Sequence, residues 1–185
     1  MIRVLRQRRW SLAWLLAIVA LAVLLAWLAS VPLLRGEPDG RAGINVGEEA
    51  PALELRGLDG RTWSLAEADG RLVWVNFWAA SCEPCRTEMP AMQRLAQAYP
   101  DDLLILGVNW GEGEDTVTDF VDRYAIDYPI LLDPDLDAFY RWASTDGLPR
   151  HAFVGAEGTV LREIVGPLEP ARMVEIVEEL LRSRT

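Results

Sequence analysis

Two cysteines, the only ones in 185 residues, stand three positions apart as Cys82 and Cys85, shortly after a seven-residue run that is apolar except for Asn76. From Leu72 to Trp78 the residues are almost all apolar, with β-branched and aromatic types prominent, which predicts a central strand buried on both faces. Ala79, Ala80 and Ser81 then lead into Cys82-Glu83-Pro84-Cys85. Over 86–99 apolar residues recur at Met89, Met92, Leu95, Ala96 and Tyr99, three or four apart, which is helical spacing.

A Cys-X-X-Cys where a strand feeds a helix has a chemical rationale. Cys82 falls at the helix N-terminus, where unpaired N–H groups and the positive end of the macrodipole favour a thiolate. In such motifs the thiol pKa drops from about 8.5 to between roughly 3.5 and 7.5. Cys85, one turn on, faces inward and can close a disulfide. Pro84 suits the first helical turn, where its missing N–H is not needed. A structural zinc half-site and an inert structural disulfide are the competing readings of the pair. Zinc needs four ligands, and the chain offers two cysteines and a single histidine, His151.

Asn76-Phe-Trp-Ala-Ala-Ser-Cys-Glu-Pro-Cys-Arg-Thr-Glu-Met-Pro90, with Gly147-Leu-Pro-Arg-His-Ala-Phe-Val-Gly155 far downstream, resembles the membrane-anchored thioredoxin-like proteins of the TlpA/ResA type. Those proteins are related to the reductases of cytochrome c maturation. The similarity spans residues 46–183. It implies a thioredoxin-like α/β fold: a central mixed β-sheet flanked by helices, an added N-terminal β-hairpin and an inserted helix and strand. It also implies thiol-disulfide oxidoreductase activity through Cys82 and Cys85. Glu88 matches a family glutamate implicated in proton handling, although its spacing from Cys85 equally fits a solvated side chain. Glu83 and Pro84 belong to the active-site loop, and the charge of Glu83 would raise the thiol pKa values.

Leu148-Pro149 matches the family's cis-proline, whose loop faces the dithiol and binds the partner's backbone. A cis X-Pro bond costs only about 0.5–1 kcal/mol, so the sequence by itself does not fix the isomer. Several positions depart from the wider pattern. Asn76 replaces the buried acid of thioredoxin and cannot take a proton; Ser81 replaces a tryptophan. Arg150 and His151 stand where small polar residues are commoner. His151 reads either as a surface or half-buried histidine or as a proton-active group beside the site.

The N-terminus carries a second signal. Arg3, Arg6, Arg8 and Arg9 precede an uncharged stretch over 10–34, longer than the roughly 20 residues that span hydrocarbon. A cleaved signal peptide has an apolar core of only about 7–15 residues and small residues at the cut, whereas Leu25, Trp27 and Leu28 occupy those positions here. The expectation is a basic cytoplasmic segment over 1–9, a single uncleaved transmembrane helix over 10–34, a flexible tether over 35–45 and a redox domain over 46–185 on the extracytoplasmic side. All 18 basic residues are arginine; five lie in 1–36, leaving 13 against 28 acids in the remainder, a formal net charge of −15. A nucleic-acid partner is improbable on that charge, and so is close contact with anionic lipid headgroups.

Along the domain, 52–56 and 61–63 predict a hairpin across Gly57-Leu-Asp-Gly60, and Ser64-Leu-Ala-Glu67 is a capping box. Strands follow at 103–109 and 129–132, helices at 116–124 and 135–142, and a second hairpin at 152–154 and 159–164. Pro170 opens a final helix with Met173, Val174, Ile176, Val177, Leu180 and Leu181 inward.

The chemistry expected is attack of Cys82 on a partner disulfide and resolution of the mixed disulfide by Cys85. The substrate would be a disulfide-containing extracytoplasmic protein, with apocytochrome c suggested by the resemblance, and a membrane electron donor would restore the dithiol. No organic cofactor and no metal are implied. A thiol peroxidase of the redoxin type is one rival, although its reactive cysteine usually lacks a Cys-X-X-Cys partner. A copper-delivery protein using both cysteines and His151 is another, since soft thiolates suit Cu(I).

Overall fold

The computed structural model describes residues 14, 17–24 and 43–183. Two compact units divide the chain, Met1–Asp39 and Gly40–Thr185. In the first, Trp14 and residues 17–24 are helical, and Trp14, Ile18, Val19, Leu21, Val23 and Leu24 are exposed. No helix among the described residues is long and apolar enough to cross a membrane. The basic segment over 1–9, most of the stretch over 10–34 and most of the tether over 35–45 lie outside the described residues.

The second unit is built on a five-stranded sheet of order β5-β4-β3-β6-β7. Strand β3 (Leu72–Trp78) is its centre and is fully buried, as a continuous apolar run requires. Parallel to it runs β4 (Leu103–Trp110), and parallel to that β5 (Ile130–Asp133); β6 (Arg150–Val154) is antiparallel to β3, and β7 (Val160–Val165) antiparallel to β6. The sheet is therefore mixed, as expected.

Helices α1 (Glu83–Ala98), α2 (Glu114–Tyr124), α3 (Asp137–Trp142) and α4 (Pro170–Arg182) connect and flank these strands. One core layer joins Trp74 and Trp78 of β3 with Met89, Met92 and Leu95 of α1, Val117 and Phe120 of α2, and Met173, Ile176 and Val177 of α4. The layer on the opposite face joins Val73, Val75 and Phe77 with Phe139 and Trp142 of α3 and with Leu53. Period-two alternation along β3 sends these side chains to the two faces. Val174 departs from the inward set expected for α4 and is exposed.

The N-terminal hairpin, β1 (Glu54–Arg56) with β2 (Thr62–Ser64), forms a separate antiparallel pair. Ser64 then caps a short 3-10 helix, Leu65–Ala68, with Glu67 returning a bond to the Ser64 N–H at 2.8 Å, completing the expected capping box. Segment 47–58 also touches both margins of the central sheet. At one, Gly47 N–H donates to Val160 O at 2.8 Å and Val160 N–H to Glu48 O at 2.9 Å; at the other, Leu58 N–H donates to Ile130 O at 2.9 Å and Gly57 bridges Leu131.

Helix α1 begins at Glu83, earlier than the apolar periodicity shows, because its first turn carries Glu83, Pro84 and Cys85, which are chosen for chemistry and capping. Asp133 at the end of β5 is a buried acid whose two oxygens accept the N–H groups of Ala138 (3.1 Å) and Phe139 (2.8 Å), capping α3. Burial raises its pKa against the pull of these two bonds.

Candidate active site

Cys82 is the N-cap of α1, in extended conformation, and its Sγ accepts the N–H of Cys85 at 3.3 Å. The two cysteines are joined in a disulfide. Cys82 is half-buried and Cys85 is 1% exposed, so the pair presents one sulfur to a partner and shields the other. A negative charge on Cys82 would lie against the first N–H groups of α1, where the helix favours it. Glu83 is exposed and ion-paired with Arg86 one turn on, so part of its charge is neutralised beside the motif. Pro84 fills the second helical position, where no donor is lost.

Strand pairing brings the distant proline loop to the same end of the sheet. Phe77 pairs with Arg150, so Pro149 lies beside the end of β3 from which the Cys82 turn departs. The Leu148-Pro149 peptide is cis, Pro149 is buried and Leu148 half-buried. Gly166 N–H donates to Pro149 O at 2.8 Å and ties the loop to the end of β7. Arg150 is 1% exposed; its guanidinium pairs with Glu163 and donates to Thr145 O at 2.6 Å and Thr145 Oγ1 at 3.0 Å. It straps the segment entering the proline loop to β7.

Glu88 is buried at 4% exposure, which overturns the solvated reading. It shares the inner face of α1 with Cys85, one turn away. Leu168 N–H donates to Glu88 Oε1, and His151 Nε2 lies 3.5 Å from Oε2. Burial pushes the Glu88 pKa up to about 7, the Leu168 N–H opposes that, and Glu169 adds to it. The charge cost of leaving water outweighs one hydrogen bond. Tyr128 has its phenol pushed above its ordinary range by burial and by the neighbouring Glu88 charge.

His151 is wholly buried, not a surface or half-buried residue. Its burial follows from strand register: opposite Asn76 in the sheet, it lies under α1, where a lone histidine in sequence carries no periodic signal. Burial lowers its pKa to about 4 against an opposing pull from the Gly166 backbone. Among the described residues no group of three or more His, Cys, Asp or Glu side chains is placed to hold a metal ion.

One residue of the site went unread in the sequence. Glu112 follows β4, and its carboxylate accepts Ala80 N–H at 2.6 Å, Ser81 N–H at 3.0 Å, Ser81 Oγ–H at 2.9 Å and the Asn109 amide at 2.8 Å. Burial raises its pKa, but these four bonds outweigh it and the net shift is downward. The available signal was an Asn109-X-X-Glu112 polar pair just past the carboxyl end of a central strand, where sites in such sheets gather.

Residues 46–162 match the AhpC/TSA family. The chain is 30% identical to the thiol-disulfide oxidoreductase ResA of Halalkalibacterium halodurans over 178 residues, 96% of this chain and 97% of that one. It is 44% identical over 94 residues to the thioredoxin-like protein YneN of Bacillus subtilis; that stretch is 49% of this chain and spans just over half, 55%, of YneN. A solved thiol:disulfide interchange protein of the thioredoxin family from Chlorobium tepidum TLS superposes with a TM-score of 0.66 at 29% identity, covering 75% of this chain and 99% of that one. With a half-buried and a shielded cysteine paired at a helix N-terminus, the chain belongs to the AhpC/TSA family and is a thioredoxin-like thiol-disulfide oxidoreductase of the ResA type.

Proposed function

We propose that the protein is an extracytoplasmic reductant of protein disulfides, held at the membrane by the apolar stretch over 10–34, with the haem-binding cysteines of apocytochrome c as its partner class. The observation that carries the reading is the asymmetry of the pair: Cys82 half-buried at the N-terminus of α1, Cys85 at 1% exposure behind it. Cys82 thiolate attacks a partner disulfide and forms a mixed disulfide, releasing one partner sulfur. Cys85 then attacks Cys82, the second partner sulfur leaves, and the partner has gained the two electrons that the dithiol lost. Glu88 takes the Cys85 proton during resolution, being buried one turn away with a pKa near neutrality. The Leu148-Pro149 loop holds the partner segment. Support for anchoring comes from the arginine cluster before an apolar run and from the exposed apolar side chains of helical residues 17–24. A membrane thiol donor would return the electrons.

Equilibration of the protein with glutathione buffers tests the direction. A reductant should have a potential more negative than about −200 mV, nearer the about −270 mV of thioredoxin than the about −120 mV of strongly oxidising members of the superfamily. A potential near the latter figure overturns the reductant reading and makes the protein an oxidant.

A further inference from the structure

Beneath the disulfide, Gly107, Asn76 and His151 stand side by side across β4, β3 and β6, in the row covered by α1. Nδ1 of His151 faces two nitrogen atoms, Trp74 Nε1 at 3.3 Å and Asn76 Nδ2 at 3.2 Å. Asn76 can turn its amide, but an indole N–H can only donate. Nδ1 is therefore an acceptor and carries no proton. The single ring proton belongs on Nε2, which lies 3.5 Å from Glu88 Oε2; neither buried atom makes a hydrogen bond as placed, so each is the other's orphaned neighbour.

We propose that His151 is a positioning residue for disulfide exchange: a permanently neutral imidazole, locked as its Nε2–H tautomer by Trp74, which donates to Glu88 and keeps that carboxyl ionised and aimed while Cys85 gives up its proton. The proposal rests on Glu88 being the proton acceptor. A protonated His151 would set an Nδ1–H against the Trp74 N–H, so the ring cannot itself be the base without breaking the arrangement that orients it. Its effect is electrostatic: Leu168 N–H serves Oε1, the proton on His151 Nε2 supplies a second donor beside Oε2, and the two donors favour the carboxylate against burial and the Glu169 charge. Burial and Glu169 hold the Glu88 pKa at about 7 against the Leu168 N–H alone, so a second donor at Oε2 tips the carboxyl toward the carboxylate that can accept. In the step itself the Cys85 S–H proton passes to Glu88, the Cys85 sulfur bonds to Cys82, the bond from Cys82 to the partner breaks, and the partner leaves as a thiolate.

The groups facing Glu88 are Cys85 on its own helix, His151 of β6, Tyr128 ahead of β5, and Glu169 with the Leu168 N–H ahead of α4; those facing His151 are Trp74 and Asn76 of β3 and the Gly166 backbone.

Stopped-flow release of thionitrobenzoate from a Cys82 adduct, made with Ellman's reagent on the reduced full chain in mild detergent, isolates the Cys85 step. Its rate, followed from pH 5 to 9, should rise with the ionisation of Glu88 in the wild type. His151→Phe should move that midpoint up by about one pH unit and slow release about tenfold below pH 7, whereas His151→Gln, which keeps a donor, should restore the midpoint. Glu88→Gln should lose the limb altogether. A His151→Phe midpoint equal to wild type, with the limb absent in Glu88→Gln, overturns the role of His151 and leaves Glu88 as the base. A wild-type limb in Glu88→Gln overturns both. Should His151→Phe fail to fold, ¹⁵N spectra of the wild type decide, because His151 is the only histidine. The Nε2–H tautomer from pH 5 to 8 is expected, and an Nδ1–H tautomer or an imidazolium at pH 7 overturns the proposal.

Discussion

Glu112 holds Ser81, the residue immediately before Cys82, through both its N–H (3.0 Å) and its hydroxyl (2.9 Å), although it lies 31 positions further along the chain. The turn that aims Cys82 is therefore anchored to the end of β4 in addition to its own Cys82 N–H to Ala79 O bond at 3.1 Å. Glu112→Ala should cost about 2–3 kcal/mol in urea unfolding, because it strands two backbone donors and Asn109. It should also slow attack by Cys82. The stabilisation is that of a carboxylate with a depressed pKa, so it is present above the unfolded value of 4.5 and lost as pH falls below it. Equal stability of variant and wild type at pH 7 would contradict this account.

The two cysteines should divide their labour in cells. Cys85→Ser should accumulate mixed disulfides through Cys82, visible as reducible high-mass species on gels, and Cys82→Ser should accumulate none. Trapping through Cys85 in the second variant would reverse the assignment.

Glu88 and His151 should bend the stability profile in opposite senses. With a folded pKa of about 7 against 4.5, Glu88 holds a proton that the unfolded chain has lost, so stability falls as pH rises between those values and levels off above them. The whole loss is about 3 kcal/mol. His151, lowered from 6.5 to about 4, costs stability as pH falls through that window. Glu88→Gln, measured with the disulfide closed, should be more stable than wild type by about 1–3 kcal/mol at pH 8, with the gap narrowing toward pH 5. A surface glutamate would show a change within about 0.5 kcal/mol at every pH, which is the outcome that would refute the assignment.

Arg150→Met should destabilise the domain by about 3–5 kcal/mol, since it leaves Glu163 and the Thr145 carbonyl without their shared partner. Arg150→Lys should recover only part of this, because an ammonium cannot span both contacts as the guanidinium fork does. The bimolecular rate with protein disulfides should fall in both variants if the strap shapes the proline loop; an unchanged rate would confine Arg150 to stability.

Much of this was legible before any coordinates, where one local rule sufficed. The apolar run at Leu72–Trp78, the capping box at Ser64 and Glu67, and the periodic faces of α1 and α4 each follow from a single period or a single cap. The contributions of Glu112, Asp133, Arg150 and His151 were not legible, because each acts across a register or a loop closure that no local pattern records. His151 reads as an isolated histidine until strand pairing sets it opposite Asn76, and Glu88 fits a solvated acid as well as a proton-handling one until Leu168 closes over it.

The segment over 47–58, which bonds to Val160 at one margin of the sheet and to Ile130 and Leu131 at the other, has a consequence for solubility. An open sheet ends in unpaired N–H and C=O groups that can template pairing with another copy. Here one continuous piece of chain occupies part of both borders, so neighbouring copies find fewer free backbone groups to zip onto. A thioredoxin-like core beginning at residue 60 would keep its cysteines and lose both covers, and it should self-associate at concentrations where the longer chain stays monomeric in sedimentation.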